Sequence, residues 1–378
     1  MQIINAKIVL PDKIIHGSCK ITNGKIAEIS ENPTPTGDTI YDAGGNYLVP
    51  GFVDIHVHGG GGYSAMSNNP QDIVEMANAH AKFGTTSIVP TTLTAPVPAL
   101  HTAMSSIKKA MDLPCKAHIL GVHLEGPYIS KSKKGAQSEN DILSADKNDP
   151  AVLLDYTDII KIFGAAPETP GGMELGRELA RRGITASVAH SDASYETACE
   201  AFKNGYSDVT HIYNGCTSLH KEGIFRVAGV AEAGLVSDCT VQFIGDLRHI
   251  PEGIVKIIYR CKGADFMSAI SDGLDYSAKD FPDGTHFMQK NGQGAVIHKG
   301  VMCLEDMSCL AGSVTTMGSI FRNLYSIGIP LVDCVKICSS TPARVAGVGD
   351  TKGKIQIGYD ADLLILDKNL NLVKTFLK

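Results

Sequence analysis

Two histidines stand one residue apart in the segment PGFVDIHVHGGGG, at the end of an apolar run and directly before four glycines. If this segment is a β-strand, side chains alternate between its two faces, so His56 and His58 point the same way. Neutral imidazole is a common ligand of divalent metals, whereas two charged imidazoles so close together would repel each other. A single histidine in an apolar strand is more often a core residue, but this pair predicts half of a metal site.

Further candidate ligands follow other short apolar segments, each where a predicted strand ends: Glu125, His190, His211 and Asp272. Together they provide imidazole nitrogens, a carboxylate ligand and a second carboxylate able to move protons, which a hydrolytic metal site requires. Each residue alone has a structural alternative, such as a turn cap for Glu125, a core position for either histidine or an Asx-turn for Asp272. Their shared position at strand ends favours a metal centre.

From residue 48 onward, short apolar segments alternate with amphipathic segments of helical period. Eight strands are predicted, in LVPGFVDIHVHG, TTSIVPTT, AHILGVHLEG, DIIKIFGAAPE, ITASVAHS, SDVTHIYN, TVQFIGD and DFMSAISDG. Helices are predicted between several of them, in PQDIVEMANAHAKFG, GMELGRELARRG, SYETACEAFKNG and PEGIVKIIYRCKG. This order predicts an α/β fold, a (β/α)8 TIM-like barrel with its active site at the carboxyl ends of the strands. A doubly wound open sheet is the alternative, but its G-x-G-x-x-G phosphate motif is missing.

The two ends of the chain have a different pattern. Residues 1–49 and 344–378 read as short strands with turns at TNGK and GYDAD. We expect these two segments to pair into one small β-sandwich domain built from both termini, beside a barrel domain of residues 50–343.

The composition narrows the class of protein. The chain has 378 residues, 43% of them hydrophobic, and a net charge of -6 without long runs of one sign, so neither nucleic acid nor an anionic membrane is an expected partner. The first residues lack the pattern of a secretion signal, no apolar run approaches a membrane span, and a cytoplasmic protein is expected. The ten cysteines are scattered through predicted core elements, which predicts reduced and mostly buried thiols.

Six motifs occur in a fixed order over nearly the whole chain: PGFVDIHVHG, HLEGPYIS, AHSDA, THIYNG, ISDG and LAGS. Together they resemble the amidohydrolase superfamily and, within it, the N-acetylglucosamine-6-phosphate deacetylases. HLEGP is the most specific of the six, because many members of the superfamily bridge their metals with a carboxylated lysine, whereas this group uses the glutamate. The resemblance implies hydrolysis of an N-acetyl amino-sugar phosphate, first of all N-acetylglucosamine 6-phosphate, to the free amine and acetate.

The resemblance also implies roles for the strand-end residues. Glu125, His190 and His211 would hold the principal divalent metal, with zinc, iron, manganese and cobalt as candidates, and His56 and His58 would help to bind a second ion. Asp272 would be the catalytic carboxylate, taking a proton from the attacking water and passing it to the leaving amine. The four glycines would let the backbone come close beside the metals and the ligand. A homodimer is implied as well, in which one subunit could lend a phosphate contact to the other.

The expected substrate contacts carry over less completely. Asn214 and Gly215 match an asparagine-alanine pair that holds the sugar phosphate, His249 matches a histidine near the substrate, and Leu310 in LAGS matches the wall around the acetyl group. Gln137 stands where a histidine that contacts the substrate is usual.

A second departure affects the phosphate. The histidine-arginine-glutamate-proline-glycine element of the family is replaced by SLHKEGIFRVAG, so Lys221 or Arg226 could substitute for its phosphate-binding arginine. Two other functions therefore remain open: an amidohydrolase acting on another N-acyl or cyclic amide, and a catalytically silent barrel that binds a metabolite as a sensor.

Overall fold

A computed structural model describes residues 1–31, 39–279, 281–288, 294–308 and 310–378. Its strands are β1 (Gln2–Val9), β2 (Ile14–Thr22), β3 (Lys25–Ser30), β4 (Ile40–Asp42), β5 (Tyr47–Pro50), β6 (Phe52–Val57), β7 (Gly59–Gly60), β8 (Tyr63–Ser64), β9 (Thr85–Thr92), β10 (His118–Ile119), β11 (Val122–Glu125), β12 (Ile160–Ala165), β13 (Thr185–Val188), β14 (Tyr206–Val209), β15 (His220–Glu222), β16 (Phe225–Val227), β17 (Thr240–Ile244), β18 (Met267–Ile270), β19 (His286–Met288), β20 (Gly294–His298), β21 (Val301–Leu304), β22 (Leu363–Leu366) and β23 (Leu372–Phe376). Its α-helices are α1 (Pro70–Ala81), α2 (Val97–Ala110), α3 (Ala151–Leu154), α4 (Gly172–Arg181), α5 (Tyr195–Lys203), α6 (Val230–Val236), α7 (Glu252–Lys262), α8 (Met317–Ser326), α9 (Leu331–Val335) and α10 (Thr341–Val345).

Within residues 52–273, eight parallel strands form a barrel in the order β6, β9, β11, β12, β13, β14, β17 and β18. The ring closes where β18 meets β6: the Asp272 backbone N–H donates to the carbonyl oxygen of His56 at 2.9 Å, and Val57 forms a parallel bridge with Gly273. These are the eight strands expected from the apolar segments, so the (β/α)8 prediction is confirmed.

The barrel interior is closed at the amino ends of its strands. Val53, Ile162 and Ile270 form part of an apolar cluster inside the ring, and Val345 of α10 belongs to the same cluster. The Thr185 hydroxyl, at the start of β13, donates to the carbonyl oxygen of Val345 at 2.8 Å. Because α10 fills the amino end, a ligand can enter the barrel only at the carboxyl ends of its strands.

The helices between the strands begin at recognisable caps. The Asn69 side chain accepts from the backbone N–H of Gln71 ahead of α1, and Ser194 accepts from Thr197 ahead of α5. Such caps satisfy N–H groups that the first turn leaves unpaired. At the other end, α7 stops before Gly263, whose φ of 62° lies in the left-handed region.

The terminal segments pair with each other. Among residues 1–31, 39–50 and 363–376, seven strands make one sheet in the order β23, β22, β5, β1, β2 and β3, with β4 also paired to β1. The sheet rolls over on itself, because the Ile26 N–H donates to the Tyr359 carbonyl oxygen at 2.9 Å, and it encloses a core separate from that of the barrel. The division of the chain at residues 49/50 and 343/344 remains a prediction.

Among the elements that were not predicted, two lie between the later barrel strands and α8. One is the hairpin of β15 and β16, which follows the sixth barrel strand. The other, in residues 286–288 and 294–304, is an antiparallel sheet of β19, β20 and β21 between the last barrel strand and α8. Among the described residues, no helix is both long and apolar enough to cross a membrane.

Eight cysteines carry free thiols: Cys19, Cys115, Cys199, Cys216, Cys239, Cys261, Cys334 and Cys338. Of these, Cys19, Cys239, Cys334 and Cys338 are buried and Cys261 is exposed. Cys309 lies outside the described residues. The prediction of reduced thiols agrees with these eight.

Candidate active site

Glu125, the last residue of β11, is the centre of a cluster of histidines at the carboxyl end of the barrel. Its Oε1 lies 2.8 Å from His211 Nε2 and 3.1 Å from His190 Nε2. His56 Nε2 is 3.5 Å from the same oxygen. All four side chains are buried, so three strand-end imidazoles converge on one carboxylate oxygen.

A second group lies beside the first. The Nε2 atoms of His56 and His58 are 3.2 Å apart, which confirms that the two side chains share a face of β6. Asp272 Oδ1 lies 3.4 Å from His56 Nε2 and 3.2 Å from His58 Nε2. Asp272 follows β18, the neighbour of β6 in the ring, and this closure of the barrel brings the first and last predicted residues together.

Three of the histidines are oriented by the backbone. The Nδ1 atoms of His58, His190 and His211 lie 3.1, 2.7 and 2.9 Å from the carbonyl oxygens of Thr91, Lys133 and Asn214. An Nδ1–H that donates to a carbonyl leaves the Nε2 lone pair free to bind a metal. The backbone therefore selects the tautomer that a metal site needs.

The backbone turns sharply at three of these residues. His190, His211 and Asp272 have φ values of 46°, 26° and 48°, in the left-handed region that residues other than glycine rarely adopt. Each lies two residues after the end of its strand, and all three side chains line the same cavity.

The glycines after His58 serve a purpose different from the expected one. A Cβ on Gly59 would lie 2.5 Å from the Asp275 Cα, and one on Gly60 would lie 2.5 Å from His80 Nε2. Gly59 to Gly62 do not line the cavity. Gly59 and Gly60 thus lack side chains because neighbouring protein lies close to them, whereas Gly61 and Gly62 have φ values of 66° and 100°, which glycine adopts freely.

The electrostatics of the cluster favour a cation. Burial would raise the pKa of Glu125, but the imidazoles of His56 and His190 hold that pKa well below its usual value. Burial would also raise the pKa of Asp272, yet His58 and His56 lower it to about 2. Burial would lower the pKa of His58, whereas its contacts with Asp272 and Glu125 raise it to about 10. Two ionised carboxylates in a buried site therefore hold a proton on His58, which a divalent metal would displace.

The ligand atoms fit a metal ion in two groups. Among the described residues, His56, Glu125 and His211 form one and His56, His58 and Asp272 the other, with the ligand atoms of each within 4.8 Å of one another. Imidazole nitrogens with carboxylate oxygens suit zinc, iron, manganese and cobalt. The donor types fit the expected divalent metal without selecting one of these four. His190, expected beside Glu125 and His211, contacts Glu125 but belongs to neither group.

A cavity of about 350 Å³ opens beside the cluster. Its lining includes Gln137, Asn214, Gly215, His249 and Leu310, as expected for substrate contacts.

Lys221 and Arg226 do not line the cavity of this chain. They face each other across the hairpin of β15 and β16, as a cross-strand pair. The structure therefore does not bring the two candidate phosphate-binding residues to the site within one subunit.

His249 presents an unpaired nitrogen to the cavity. Its Nδ1 lies 2.6 Å from Asp246 Oδ2, and its Nε2 is buried without a hydrogen-bond partner among the described residues. A buried polar atom of this kind usually has a partner, so a substrate hydroxyl or amide would complete it.

Some neighbours of the cluster were not expected. Leu93, Tyr213, Ile244 and Leu274 complete the cavity wall; they come from separate parts of the chain, and no spacing in the sequence marks them.

His123 packs behind His56, with ring centroids 4.6 Å apart, and burial lowers its pKa to about 4. Its position two residues before Glu125 in one strand was a usable signal, since alternation places both on the same face.

Three comparisons place the chain among known proteins. The profile of the amidohydrolase family matches residues 47–378. The N-acetylglucosamine-6-phosphate deacetylase of Lysinibacillus sphaericus is 33% identical over 362 residues, covering 93% of this chain and 90% of the relative. The N-acetylgalactosamine-6-phosphate deacetylase of Escherichia coli O157:H7 is 28% identical over 369 residues, 95% of this chain and 93% of the relative. The crystal structure of N-acetylglucosamine-6-phosphate deacetylase from Pasteurella multocida superposes with a TM-score of 0.91 at 27% identity, covering 100% of this chain and 97% of that one.

Proposed function

The chain belongs to the amidohydrolase family, and from that membership we propose that it removes the acetyl group from N-acetylglucosamine 6-phosphate, giving glucosamine 6-phosphate and acetate. The observation that carries the proposal is the convergence of three imidazoles on Glu125 beside Asp272, in a chain 33% identical to a deacetylase of that substrate. A silent metabolite sensor would have no need of this ligand set together with Asp272.

We assign the metal to Glu125, His190 and His211, with His56 and His58 beside it for a second ion. A bound divalent metal supplies a Lewis acid that polarises the acetamide carbonyl and lowers the pKa of the attacking water. Glu125 is buried and contacted on both oxygens, which suits a ligand that must stay fixed.

Asp272 is the proton carrier in this proposal. It lines the cavity and meets the two histidines through Oδ1, so it can reach both the water and the amide nitrogen of a bound substrate. Its low pKa keeps the carboxylate ionised and ready to accept the proton of the water. It then delivers that proton to the nitrogen, because the amine leaves only when protonated.

The sugar occupies the cavity between Asn214, Gly215 and His249, with Leu310 against the acetyl group. His249 Nε2 accepts from a sugar hydroxyl, since its Nδ1 faces Asp246. Among the described lining residues there is no lysine or arginine, although a phosphate dianion calls for charged donors.

Because the described lining of the cavity lacks a cation for the phosphate, we propose a homodimer in which the hairpin of β15 and β16 reaches a second copy of the chain. Its Leu219, Ile224 and Phe225 are 63%, 83% and 70% exposed, an unusual set for one short hairpin in water. Lys221 and Arg226 lie between them and would be carried to the partner's cavity, where either could bind the phosphate.

We also propose a cytoplasmic location. Free thiols are typical of a reducing compartment, and eight cysteines in the described part of the chain have them.

The test compares kcat/KM for N-acetylglucosamine 6-phosphate, N-acetylgalactosamine 6-phosphate and unphosphorylated N-acetylglucosamine. We expect the first to exceed the last at least about tenfold, because a hydrogen bond to a charged phosphate contributes about 1.5–3 kcal/mol. A preference for the galacto sugar would change the sugar but keep the reaction. Equal efficiency on both glucosamine derivatives would remove the phosphate claim. Activity on none of them with metal bound would favour an amidohydrolase of another N-acyl or cyclic amide.

A further inference from the structure

Gln137 contacts the metal-binding carboxylate instead of only lining the cavity. Its Nε2 donates to Glu125 Oε2 at 2.5 Å, and both side chains are buried. His58 Nε2 also lies 3.3 Å from Oε2. The other oxygen of the same carboxylate, Oε1, faces His190, His211 and, at 3.5 Å, His56. The two oxygens of Glu125 therefore have different neighbours.

The orientation of the Gln137 amide is fixed from its other end. The Thr94 backbone N–H donates to Gln137 Oε1 at 2.9 Å, so the amide nitrogen must face Glu125. The Thr94 hydroxyl donates to the Glu125 carbonyl oxygen at 3.2 Å, which ties Thr94 to both partners. A Cβ on Gly126 would lie 2.3 Å from this hydroxyl oxygen, so the approach of Thr94 depends on glycine next to Glu125.

The segment that carries Gln137 supports a second ligand as well. The Lys133 carbonyl oxygen is the partner of His190 Nδ1, and the Ser130 N–H donates to the His190 carbonyl oxygen at 2.8 Å. Residues 130–137 thus hold Glu125 and His190 from one side.

We propose that Gln137 is a positioning residue that keeps the two oxygens of Glu125 in separate roles. It occupies Oε2 as a hydrogen-bond donor and thereby commits Oε1 to the ion bound with His190 and His211. The second ion would lie among His56, His58 and Asp272, on the side of Oε2, which is 3.3 Å from His58 Nε2. The inference rests on the metal centre of the proposed function.

Removal of the amide donor should weaken the first site selectively. Partners that orient a metal ligand contribute about 10- to 100-fold in affinity, so Gln137→Met, which keeps the length of the side chain without the donor, should lower metal affinity by that factor. The expected loss falls on the ion bound with His190 and His211. Gln137→Ala provides a second variant in case methionine packs poorly.

The measurement is competition between the zinc-loaded protein and a chelator of known affinity, with thermal unfolding to verify the fold. The visible spectrum of the cobalt-substituted protein adds a signature, because its intensity depends on coordination number and a freed Oε2 could join the ion. Gln242→Met is the matched control: Gln242 also donates to a buried carboxylate oxygen, Asp208 Oδ2 at 2.6 Å, but it does not line the cavity.

The outcomes separate the two proposals. Weaker zinc binding and a changed cobalt spectrum in the Gln137 variants, with Gln242→Met unchanged in both, supports the positioning role. Equal zinc affinity and an unchanged spectrum in Gln137→Met overturn it and leave the proposed function standing. An equal loss of affinity in Gln242→Met also overturns it, since general loosening of the barrel would then explain the effect. If the wild-type protein binds no metal, the proposed function itself fails.

Discussion

Glu125 and Asp272 are both buried carboxylates beside His56 and His58, yet their surroundings suit different work. Glu125 has partners on both oxygens, and a group fixed in this way can hold a metal but cannot easily move a proton. Asp272 meets the histidines through Oδ1 at the edge of the cavity. The proposed division of labour between metal ligand and proton carrier agrees with the number of contacts each carboxylate makes.

The Asp272→Asn variant tests this division. We expect kcat to fall by about 100-fold or more, as loss of general acid-base catalysis implies, while the ion assigned to Glu125, His190 and His211 stays bound. Asparagine is the suitable replacement because it tolerates the left-handed backbone at this position better than most residues. Steady-state kinetics with elemental analysis give the answer, and wild-type turnover would assign the proton transfer to another residue, with His249 as the next candidate.

Among single residues, the sequence predicted those that have a metal-binding side chain and also stand at the end of a predicted strand. Each of these residues stands at the end of an apolar segment that forms a barrel strand, and the strand fixes where its side chain lies. They are His56, His58, Glu125, His190 and Asp272. The contact of Gln137 with Glu125 could not be predicted, because a loop of irregular structure separates them and no period relates their side chains.

The hairpin of β15 and β16 is the element whose role depends most on assembly. It is short and exposed, and several of its side chains are apolar. Its middle cross-strand pair consists of two cations, Lys221 and Arg226. Like charges opposite each other destabilise an isolated hairpin. An anion held between them, or a partner surface, would offset that repulsion.

Loss of apolar side chains from the hairpin should weaken the dimer. We expect Ile224→Ser with Phe225→Ser to shift the protein to monomers in sedimentation velocity at micromolar concentration, because residues of this kind contribute most at the centre of an interface. Ile357→Ser, at another exposed apolar position, is the control. A monomeric wild-type protein, or an unchanged dimer in the double variant, would contradict the assignment.

Phosphate binding by Lys221 and Arg226 can be tested separately from the dimer interface. Arg226→Ala and Lys221→Ala should raise KM for the phosphorylated sugar by roughly 10- to 100-fold for whichever residue binds the phosphate, and leave unphosphorylated sugar unaffected. Lys203→Ala, at an exposed position on α5, controls for net charge. Unchanged KM in both variants would mean that the phosphate is bound elsewhere.

Element prediction succeeded for the barrel because its strands are buried on both faces and separated by helices, so each is a short apolar run in a regular order. The sheet of β19, β20 and β21 escaped prediction for the opposite reason. Its strands have three to five residues and lack intervening helices. Its partly exposed residues also dilute the apolar signal, for instance at His286 and His298.

In the whole molecule, the barrel and the terminal sheet are joined by buried charge. Asp362, next to β22, lies 3.1 Å from His118 Nε2 of the barrel edge strand β10 and 2.6 Å from Lys352 Nζ. Asp360 lies within 3.1 Å of Lys25, Lys352 and Lys378. Of these contacts, the one between Asp362 and His118 joins the terminal sheet to the barrel, and the others lie within the terminal segments.

The free energy of unfolding at low pH should therefore depend on the ionised state of Asp362. Burial would raise the pKa of Asp362, but His118 and Lys352 hold it below its ordinary value. A carboxyl whose pKa is lower in the folded than in the unfolded protein stabilises the fold above the unfolded value, about 3.9, and this contribution is lost as pH falls through the folded value. We expect Asp362→Asn to reduce the free energy of unfolding at pH 7 by about 1–3 kcal/mol and the difference from wild type to shrink below pH 4.

Urea unfolding at pH 7 and pH 3 measures that difference, with Asp12→Asn at an exposed position as the control. A difference that stays constant across this range would mean that the charge of Asp362 contributes nothing to the junction.

The left-handed backbone at His190, His211 and Asp272 has a consequence for how this protein can change over generations. Glycine at any of the three would adopt the same φ freely and relieve strain of about 1 kcal/mol or more, while it deleted a metal ligand or the proton carrier. Loss of either histidine would also take a partner from the buried Glu125 carboxylate, which costs about 3–5 kcal/mol, so selection for stability alone would keep both histidines.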